Sequence, residues 1–230
     1  MILSHQKKFL FIHIYKVAGT SIRRVLDRYD DRTWNDFPFL TNVKFKIGSR
    51  SKRLSTWAID HITASQCKDW LSPEVFNQYF KFSFVRNPWD WQVSLYHFML
   101  QDKHHRQHKL ISKTKNFEEY LTWRVNKDIE LQTDFLYDKS GTLLVDYIGR
   151  FETLQSDFNE ICRRLNIQST QLPITNRSHH QYYKEYYNDR TRDMVANAFK
   201  KDIELLGYEF WCYEVVQYCG PTPLEDMSGM

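Results

Sequence analysis

The sequence predicts an α/β fold, with a parallel sheet flanked by helices in one domain. The run "FLFIHI", residues 9–14, is continuously apolar, which is typical of a parallel strand covered on both faces. A second apolar run, "FKFSFV", occupies residues 80–85, and a polar turn and a helical pattern directly follow each run. Two strand–turn–helix units indicate a doubly wound sheet that binds its ligand at the carboxyl ends of its strands.

Apolar residues at helical spacing predict the elements between and after these strands. The predicted helical stripes are Ile22, Val25, Leu26 and Tyr29, then Trp91, Leu95 and Phe98, then Phe158, Ile161, Cys162 and Leu165. The predicted capping residues are Thr63, Ser72 before Pro73, Asn87 before Pro88, Asn116 with Glu119, and Gly207 after a last helix over residues 189–206. The segment "LLVDYIGRFE" predicts a third buried strand that ends at Arg150.

Length and composition restrict the class of protein. The chain has 230 residues, 42% of them hydrophobic, which fits one α/β domain over residues 1–230 with 211–230 as a C-terminal extension. A net charge of +4 is compatible with an anionic ligand but does not require one. Four scattered cysteines without metal-ligand spacing indicate reduced thiols. No run approaches the roughly 18 apolar residues of a membrane span and no signal peptide is visible, so we expect a cytoplasmic protein.

The turn after the first strand has the composition of an anion site. Gly19 allows close approach of the backbone, and the N–H groups of Gly19, Thr20 and Ser21 open a helix whose dipole favours negative charge. Lys16 adds a mobile positive charge. A plain helix start with a surface lysine is the alternative interpretation.

The order of these residues indicates which anion is bound. In the ATP-binding pattern GxxxxGK[ST] the lysine follows the glycines, whereas Lys16 precedes Gly19. The second strand ends in Arg86 and supplies no metal-binding carboxylate. A sulfuryl group, which carries one negative charge fewer than a phosphoryl group and has no obligatory Mg²⁺, fits better, so we expect no metal.

Two segments resemble a known family. "IHIYKVAGTSI" is similar to the 5′-phosphosulfate loop, and "FSFVRNPWDWQVSLY" to the 3′-phosphate motif, of sulfotransferases that use 3′-phosphoadenosine 5′-phosphosulfate (PAPS). The carbohydrate type, which includes heparan sulfate 2-O- and chondroitin 4-O-sulfotransferases and compact bacterial relatives, is the most similar. The resemblance extends from about Phe9 to Phe210 through "LVDYIGRFETL" and "KKDIELLGYEF". It implies the P-loop-type version of the predicted sheet.

The resemblance also implies roles for individual residues. Lys16 would reach the bridging oxygen between the 5′-phosphate and the sulfuryl group, and His61 would be the base that takes the proton of the acceptor hydroxyl. The residues expected to bind the donor are Lys16, Ala18, Gly19, Thr20 and Ser21 at the phosphosulfate, Arg86 and Ser94 at the 3′-phosphate, and Arg177 and Ser178 in a late segment that closes over the nucleotide.

The acceptor is less well defined than the donor. A hydroxyl of a sugar or glycan is expected, contacted by loops at residues 31–57, 100–115 and 130–140, where Gln132, Thr133 and Asp134 are candidates by placement alone. Asp60 either orients His61 or is a solvated neighbour. The segment "HHQYYKEYY" is either a stacking surface or a lid packed on the core. A metal cluster at His104, His105 and His108 is disfavoured by the surrounding cations.

Three positions depart from the family pattern. Tyr15 and Val17 flank Lys16 where the family usually has proline and threonine, and Trp91 stands where an arginine is frequent. Two other classes therefore stay open: a P-loop nucleotide phosphotransferase (kinase), and an inactive nucleotide- or polyanion-binding protein. Nucleic-acid binding is disfavoured because the cations follow no recognition motif. The oligomeric state does not follow from the sequence.

Overall fold

The structure, a computed structural model, describes residues 1–33, 36–37, 60–173 and 181–211. Its sheet has four strands in the order β1-β2-β3-β4, and their bounds are Ile2–Ser4, Phe9–Ile12, Phe80–Val85 and Tyr147–Arg150. The β2, β3 and β4 strands are parallel, and β1 pairs antiparallel with β2. Together with its flanking helices, this sheet confirms the predicted α/β fold.

Ten α-helices accompany the sheet in the described part of the chain. They are α1 Gly19–Leu26, α2 Ala64–Trp70, α3 Pro73–Gln78, α4 Pro88–Gln101, α5 His108–Ile111, α6 Phe117–Lys127, α7 Thr133–Leu136, α8 Leu154–Arg164, α9 Asp189–Ala198 and α10 Lys200–Leu206. The side chains of Thr63, Ser72, Asn87 and Asn116 each accept a backbone N–H at the start of a helix. These bonds confirm four predicted caps. Caps can be predicted because a short local sequence is enough to specify them.

Three elements differ from the prediction. The first strand ends at Ile12 instead of Ile14, and β1, which was not predicted, pairs with it along the sheet edge. The predicted last helix is interrupted at Phe199, where the backbone leaves helical geometry (φ −107°, ψ 23°) between α9 and α10. The Phe199 side chain is fully buried, with its ring 6.2 Å from that of Trp91, so packing in the core accompanies the break.

The carboxyl ends of the three parallel strands lie on one edge of the sheet. Val85 pairs with Arg150, and Ile12 with Ser83, so the turns after β2, β3 and β4 all open at this edge. Ligands of open α/β sheets bind at such an edge. Within the described residues, none of the helices has the length and apolar character that crossing a membrane requires.

Candidate active site

The turn after β2 is held in an uncommon backbone conformation. Lys16 and Ala18 both have a φ of 62°, in the left-handed region that costs a non-glycine residue about 1 kcal/mol or more. The carbonyl of Ala18 accepts the N–H groups of Ser21 (2.9 Å) and Ile22 (3.2 Å). The N–H groups of Val17, Gly19 and Thr20 have no acceptor within the described part of the chain. These groups are therefore free to bind an anion at the start of α1.

The structure gives a second reason for a glycine at position 19, besides the predicted close approach of the backbone to an anion. A Cβ atom added at Gly19 would overlap the imidazole ring of His13, which packs against the start of α1. The glycine therefore makes room for His13, and any larger residue would force this ring to move. Burial lowers the pKa of His13 well below its usual value, so the ring is neutral.

Lys16 reaches from this turn toward α4. Its ammonium lies 4.3 Å from the centre of the Phe98 ring, and its carbonyl accepts the guanidinium Nη1 of Arg86 at 3.2 Å. Burial, and then the nearby charge of Arg86, lower the pKa of Lys16 to about 8. Apart from the ring of Phe98, the ammonium has no partner within the described residues. It is free to turn toward a ligand.

Arg86, Asp90 and Ser94 follow one another at intervals of four residues, which places them on one face of α4 and its N-terminal corner. The Nε of Arg86 donates to Asp90 Oδ2 at 2.6 Å, and the guanidinium lies 3.9 Å from the Phe151 ring. Ser94 is a buried residue, and its hydroxyl makes no hydrogen bond among the described residues. This face therefore offers the Nη2 of Arg86 and the Ser94 hydroxyl to a ligand.

His61 lies beside the same turn. Its Nδ1 is 3.0 Å from the carbonyl oxygen of His13, and since a carbonyl only accepts, Nδ1 carries the proton and Nε2 is left as a free base. Burial against its neighbours lowers the pKa of His61, although the bond to His13 opposes this. The residue keeps an exposed part, and its ring centre is 6.2 Å from that of Tyr15. A neutral, accessible imidazole therefore stands next to the Lys16 turn.

Asp60 does not orient His61. The Asp60 carboxylate accepts a hydrogen bond from Arg23 Nη1 at 2.5 Å. The role of Asp60 is therefore an ion pair with α1. The His61 ring is oriented by the backbone of His13 instead.

The model of the sulfotransferase family matches residues 1–209, which is most of the chain. The chain belongs to the sulfotransferase family. Among solved structures, the sulfotransferase fold is similar to that of mouse sulfotransferase SULT7A1 complexed with PAP, with 13% identity over 87% of this chain and 85% of that chain and a TM-score of 0.50. At this identity the likeness concerns the fold alone. No curated protein shows significant sequence similarity.

In this sulfotransferase, two of the three departures from the family pattern, Tyr15 and Trp91, contact each other. The indole Nε1 of Trp91 donates to the carbonyl of Tyr15 at 2.8 Å, and the two rings lie 4.9 Å apart. The Tyr15 hydroxyl accepts Nη2 of the buried Arg124 at 2.8 Å. Where proline would restrict the turn locally, tertiary contacts hold it here. Val17, the third departure, places its side chain in the core.

Two carboxylates near the site were not found from the sequence. Glu152, two residues after the end of β4, accepts hydrogen bonds from the N–H of Asn87 (2.6 Å) and the hydroxyl of Tyr208 (3.1 Å), and burial raises its pKa. Asp90 is paired with Arg86. Both carboxylates are engaged with the protein. Among the residues that the structure describes, no group of His, Cys, Asp and Glu side chains is arranged to hold a metal ion.

The structure buries the acceptor candidates Gln132 and Thr133, whereas Asp134 is exposed and stays a prediction. Gln132 and Thr133 are completely buried and tied to Arg86 and Asp202, and Asp134 pairs with Lys201. Their placement in a probable loop was the only signal, and it did not reveal that Gln132 and Thr133 are buried.

The tyrosine-rich segment packs on the protein body. Tyr183 donates to the carbonyl of Phe210 (2.7 Å), Tyr187 to that of Trp89 (2.9 Å), and Tyr186 is bonded to His97 (2.9 Å). Of the two interpretations of this segment, these contacts favour a lid packed on the core and not a stacking surface. Tyr182 alone among these four tyrosines is strongly exposed.

Several predicted residues lie outside the described part of the chain. They are Arg177 and Ser178, most of the loop at 31–57, Cys212 and Cys219, and the extension from residue 212 onward. The other two cysteines, Cys67 and Cys162, are free and buried.

Proposed function

We propose that this sulfotransferase transfers the sulfuryl group of PAPS, in line, to a hydroxyl of a carbohydrate or glycoconjugate. One observation carries the proposal: Lys16, Arg86 and Ser94 meet on one face of α4, beside the free N–H groups that open α1. A donor with two separate anionic groups fits two separate anion-binding turns.

The two turns divide the donor between them. The N–H groups of Val17, Gly19 and Thr20 and the Thr20 hydroxyl bind the 5′-phosphosulfate, and Arg86 and Ser94 bind the 3′-phosphate. Arg177 and Ser178 complete the nucleotide site in the same proposal. A hydrogen bond between arginine and phosphate contributes roughly 1.5–3 kcal/mol, so the 3′-phosphate separates this donor from ordinary nucleotides.

His61 and Lys16 handle the charge that moves during transfer. Nε2 of His61 takes the proton of the acceptor hydroxyl as the bond from this oxygen to sulfur forms. The bond from sulfur to the bridging oxygen breaks, and the Lys16 ammonium stabilises the negative charge that builds on the leaving phosphate. A base in position typically contributes about 10²–10⁴-fold to the rate.

A carbohydrate acceptor is supported by the resemblance to the carbohydrate type and by the segment after α4. Its cations, Lys103, Arg106, Lys109, Lys113 and Lys115, are exposed. His105 of this segment lies with its ring 5.4 Å from that of Phe98, on which the Lys16 ammonium rests. The basic segment therefore adjoins the reacting groups and suits an anionic glycan.

The phosphotransferase alternative has less support. It needs a carboxylate available to Mg²⁺, whereas Asp90 and Glu152 are already bonded to Arg86 and to the start of α4. Calorimetric titration with 3′-phosphoadenosine 5′-phosphate (PAP), ADP, and ATP with and without Mg²⁺ tests the donor. Metal-free preference for PAP is expected. Preference for ATP with Mg²⁺ would support phosphoryl transfer, and no binding would support the inactive alternative.

A transfer assay tests the acceptor class. The protein is incubated with labelled PAPS and, separately, neutral oligosaccharides, acidic oligosaccharides and phenols, with transfer measured for each. Label on an oligosaccharide is expected. Transfer to phenols alone would contradict the carbohydrate acceptor and leave the donor assignment intact.

A further inference from the structure

The backbone of Arg86 is bonded on both sides to a single side chain. Its N–H donates to Oε1 of Gln132 at 2.8 Å, and its carbonyl accepts Nε2 of Gln132 at 2.7 Å. Val85, one residue earlier, is the last residue of β3 paired with β4. The Gln132 amide therefore takes the place of a neighbouring strand for one residue beyond the end of the sheet.

Gln132 is itself fixed from behind. Its own N–H and that of Thr133 donate to the two carboxylate oxygens of Asp202, each at 2.8 Å. Gln132, Thr133 and Asp202 are completely buried, and burial raises the pKa of Asp202. A buried amide that loses such partners leaves polar groups unsatisfied, which destabilises the folded state. The position of Gln132 is therefore strongly determined.

The side chain of Arg86 is fixed in the same way as its backbone. Asp90 holds Nε, the ring of Phe151 lies 3.9 Å from the guanidinium, and Nη1 donates to Lys16. Nη2 is left without a partner among the described residues. With the backbone and one edge of the guanidinium both held, the direction of the free edge is set before a ligand arrives.

We infer that Gln132 is a positioning residue for recognition of the 3′-phosphate: by bonding both backbone groups of Arg86 it aims the free edge of the guanidinium, and it thereby sets the preference for 3′-phosphorylated nucleotides. This inference rests on the proposed function, in which Arg86 binds the 3′-phosphate. Gln132 does not touch the donor and acts through Arg86.

The test compares two ligands that differ at the 3′ position. Affinities of PAP and ADP are measured by calorimetry for the wild-type protein and for Gln132→Met, which has a similar volume and no hydrogen-bonding amide. Affinity for PAP is expected to fall about tenfold, the equivalent of one hydrogen bond to a charged group, while affinity for ADP changes little. The ratio of the two affinities falls accordingly.

A matched control separates positioning from general stability. Tyr147→Phe removes one hydrogen bond, to Asp157 at 2.8 Å, at the start of β4 and so at the opposite end of that strand. This variant is expected to melt at a lower temperature with an unchanged ratio of PAP affinity to ADP affinity.

A second variant, Gln132→Glu, replaces Gln132→Met in the test if the latter does not fold. Glutamate keeps an acceptor for the N–H of Arg86 but has no donor for its carbonyl. A smaller loss of PAP preference is expected for it.

An unchanged ratio of affinities in a folded Gln132 variant, or an equal loss for PAP and ADP, would overturn the inference. If the wild-type protein itself shows no preference for PAP over ADP, the proposed function fails instead. The two failures are therefore distinguishable in one set of titrations.

Discussion

At the turn after β3, both backbone polar groups of Arg86 are bonded to Gln132, whereas at the turn after β2 the N–H groups of Val17, Gly19 and Thr20 have no acceptor within the described residues. The side chains of the two turns differ in the same way, since in the part of the chain that the structure describes one is ion-paired and the other is not. The guanidinium of Arg86 is paired with Asp90, while the ammonium of Lys16 rests on an aromatic ring.

This difference corresponds to what each turn is proposed to bind. The charge of a 3′-phosphate does not change during sulfuryl transfer, so a rigid site loses nothing. The bridging oxygen gains charge only as the sulfur bond breaks, and catalysis depends on interactions that strengthen at that moment. A mobile lysine and free N–H groups suit the second task. In the proposed function, the β3 turn therefore selects the donor and the β2 turn serves the reaction.

The largest effect is expected at His61, which is bonded to the β2 turn through His13. His61→Ala should reduce kcat by about 10²–10⁴-fold, because the acceptor hydroxyl loses its base, with PAP affinity unchanged. Steady-state kinetics and calorimetry measure the two quantities. His5→Ala, in the turn between β1 and β2 at the opposite edge of the sheet, is the control. An unchanged kcat in His61→Ala would remove it as the base.

Lys16→Met is expected to reduce kcat by about 10²–10³-fold, since the charge on the leaving phosphate is no longer stabilised. Its effect on PAP affinity should be smaller than its effect on kcat, and single-turnover kinetics with PAPS separates the two. Lys200→Met replaces an exposed lysine and should leave both unchanged. A variant that lost affinity but kept kcat would reverse the division of tasks between the turns.

Arg86→Lys should weaken PAP binding by about tenfold and leave kcat nearly unchanged, because lysine keeps the charge but loses the planar fork. Titration with PAP and ADP shows whether the loss is confined to the 3′-phosphorylated ligand. Arg163→Lys, on the surface of α8, is the control. Equal PAP affinity before and after the Arg86 change would refute the assigned 3′-phosphate role.

The smallest effect expected is one of pH. In the donor-free protein, burial and the charge of Arg86 lower the pKa of Lys16 to about 8, so Lys16 loses its proton as pH rises through this value. An anionic ligand favours the protonated form, and PAP affinity should therefore weaken about twofold at pH 8 and further above it. Calorimetry in buffers of different ionisation enthalpy should detect proton uptake on binding. Persistence of that uptake in Lys16→Met would assign the proton to another group.

Much of the fold could be predicted because its signals are local. Ser72 before Pro73 and Asn87 before Pro88 begin their helices as predicted, and β3 has the predicted bounds. The short edge strand β1 could not be predicted, because three residues carry little pattern and its pairing with β2 is a tertiary contact. The interruption at Phe199 was missed for a similar reason, since it coincides with packing on Trp91.

Only the residues at the strand ends of the candidate site could be predicted from the sequence, and not the residues that hold them in place. Lys16, Arg86 and Ser94 come together because parallel strands end at one edge, a rule that needs no coordinates. Gln132 could not be found in this way, because it is 46 residues from Arg86 in the sequence and 70 from Asp202. The contact between His13 and Gly19 also depends on the path of the chain, so the glycine alone suggested only an anion site.

The resting state of Lys16 also has a chemical consequence. With a pKa of about 8, about half of its amino groups are uncharged nucleophiles at pH 8, compared with fewer than about one in a hundred for an ordinary lysine. An amine-reactive ester used in small excess at this pH should therefore acylate Lys16 ahead of exposed lysines such as Lys200, as peptide mass spectrometry would show. A bound donor would shield it. The same residue thus offers an attachment point for covalent inhibitors of the donor site.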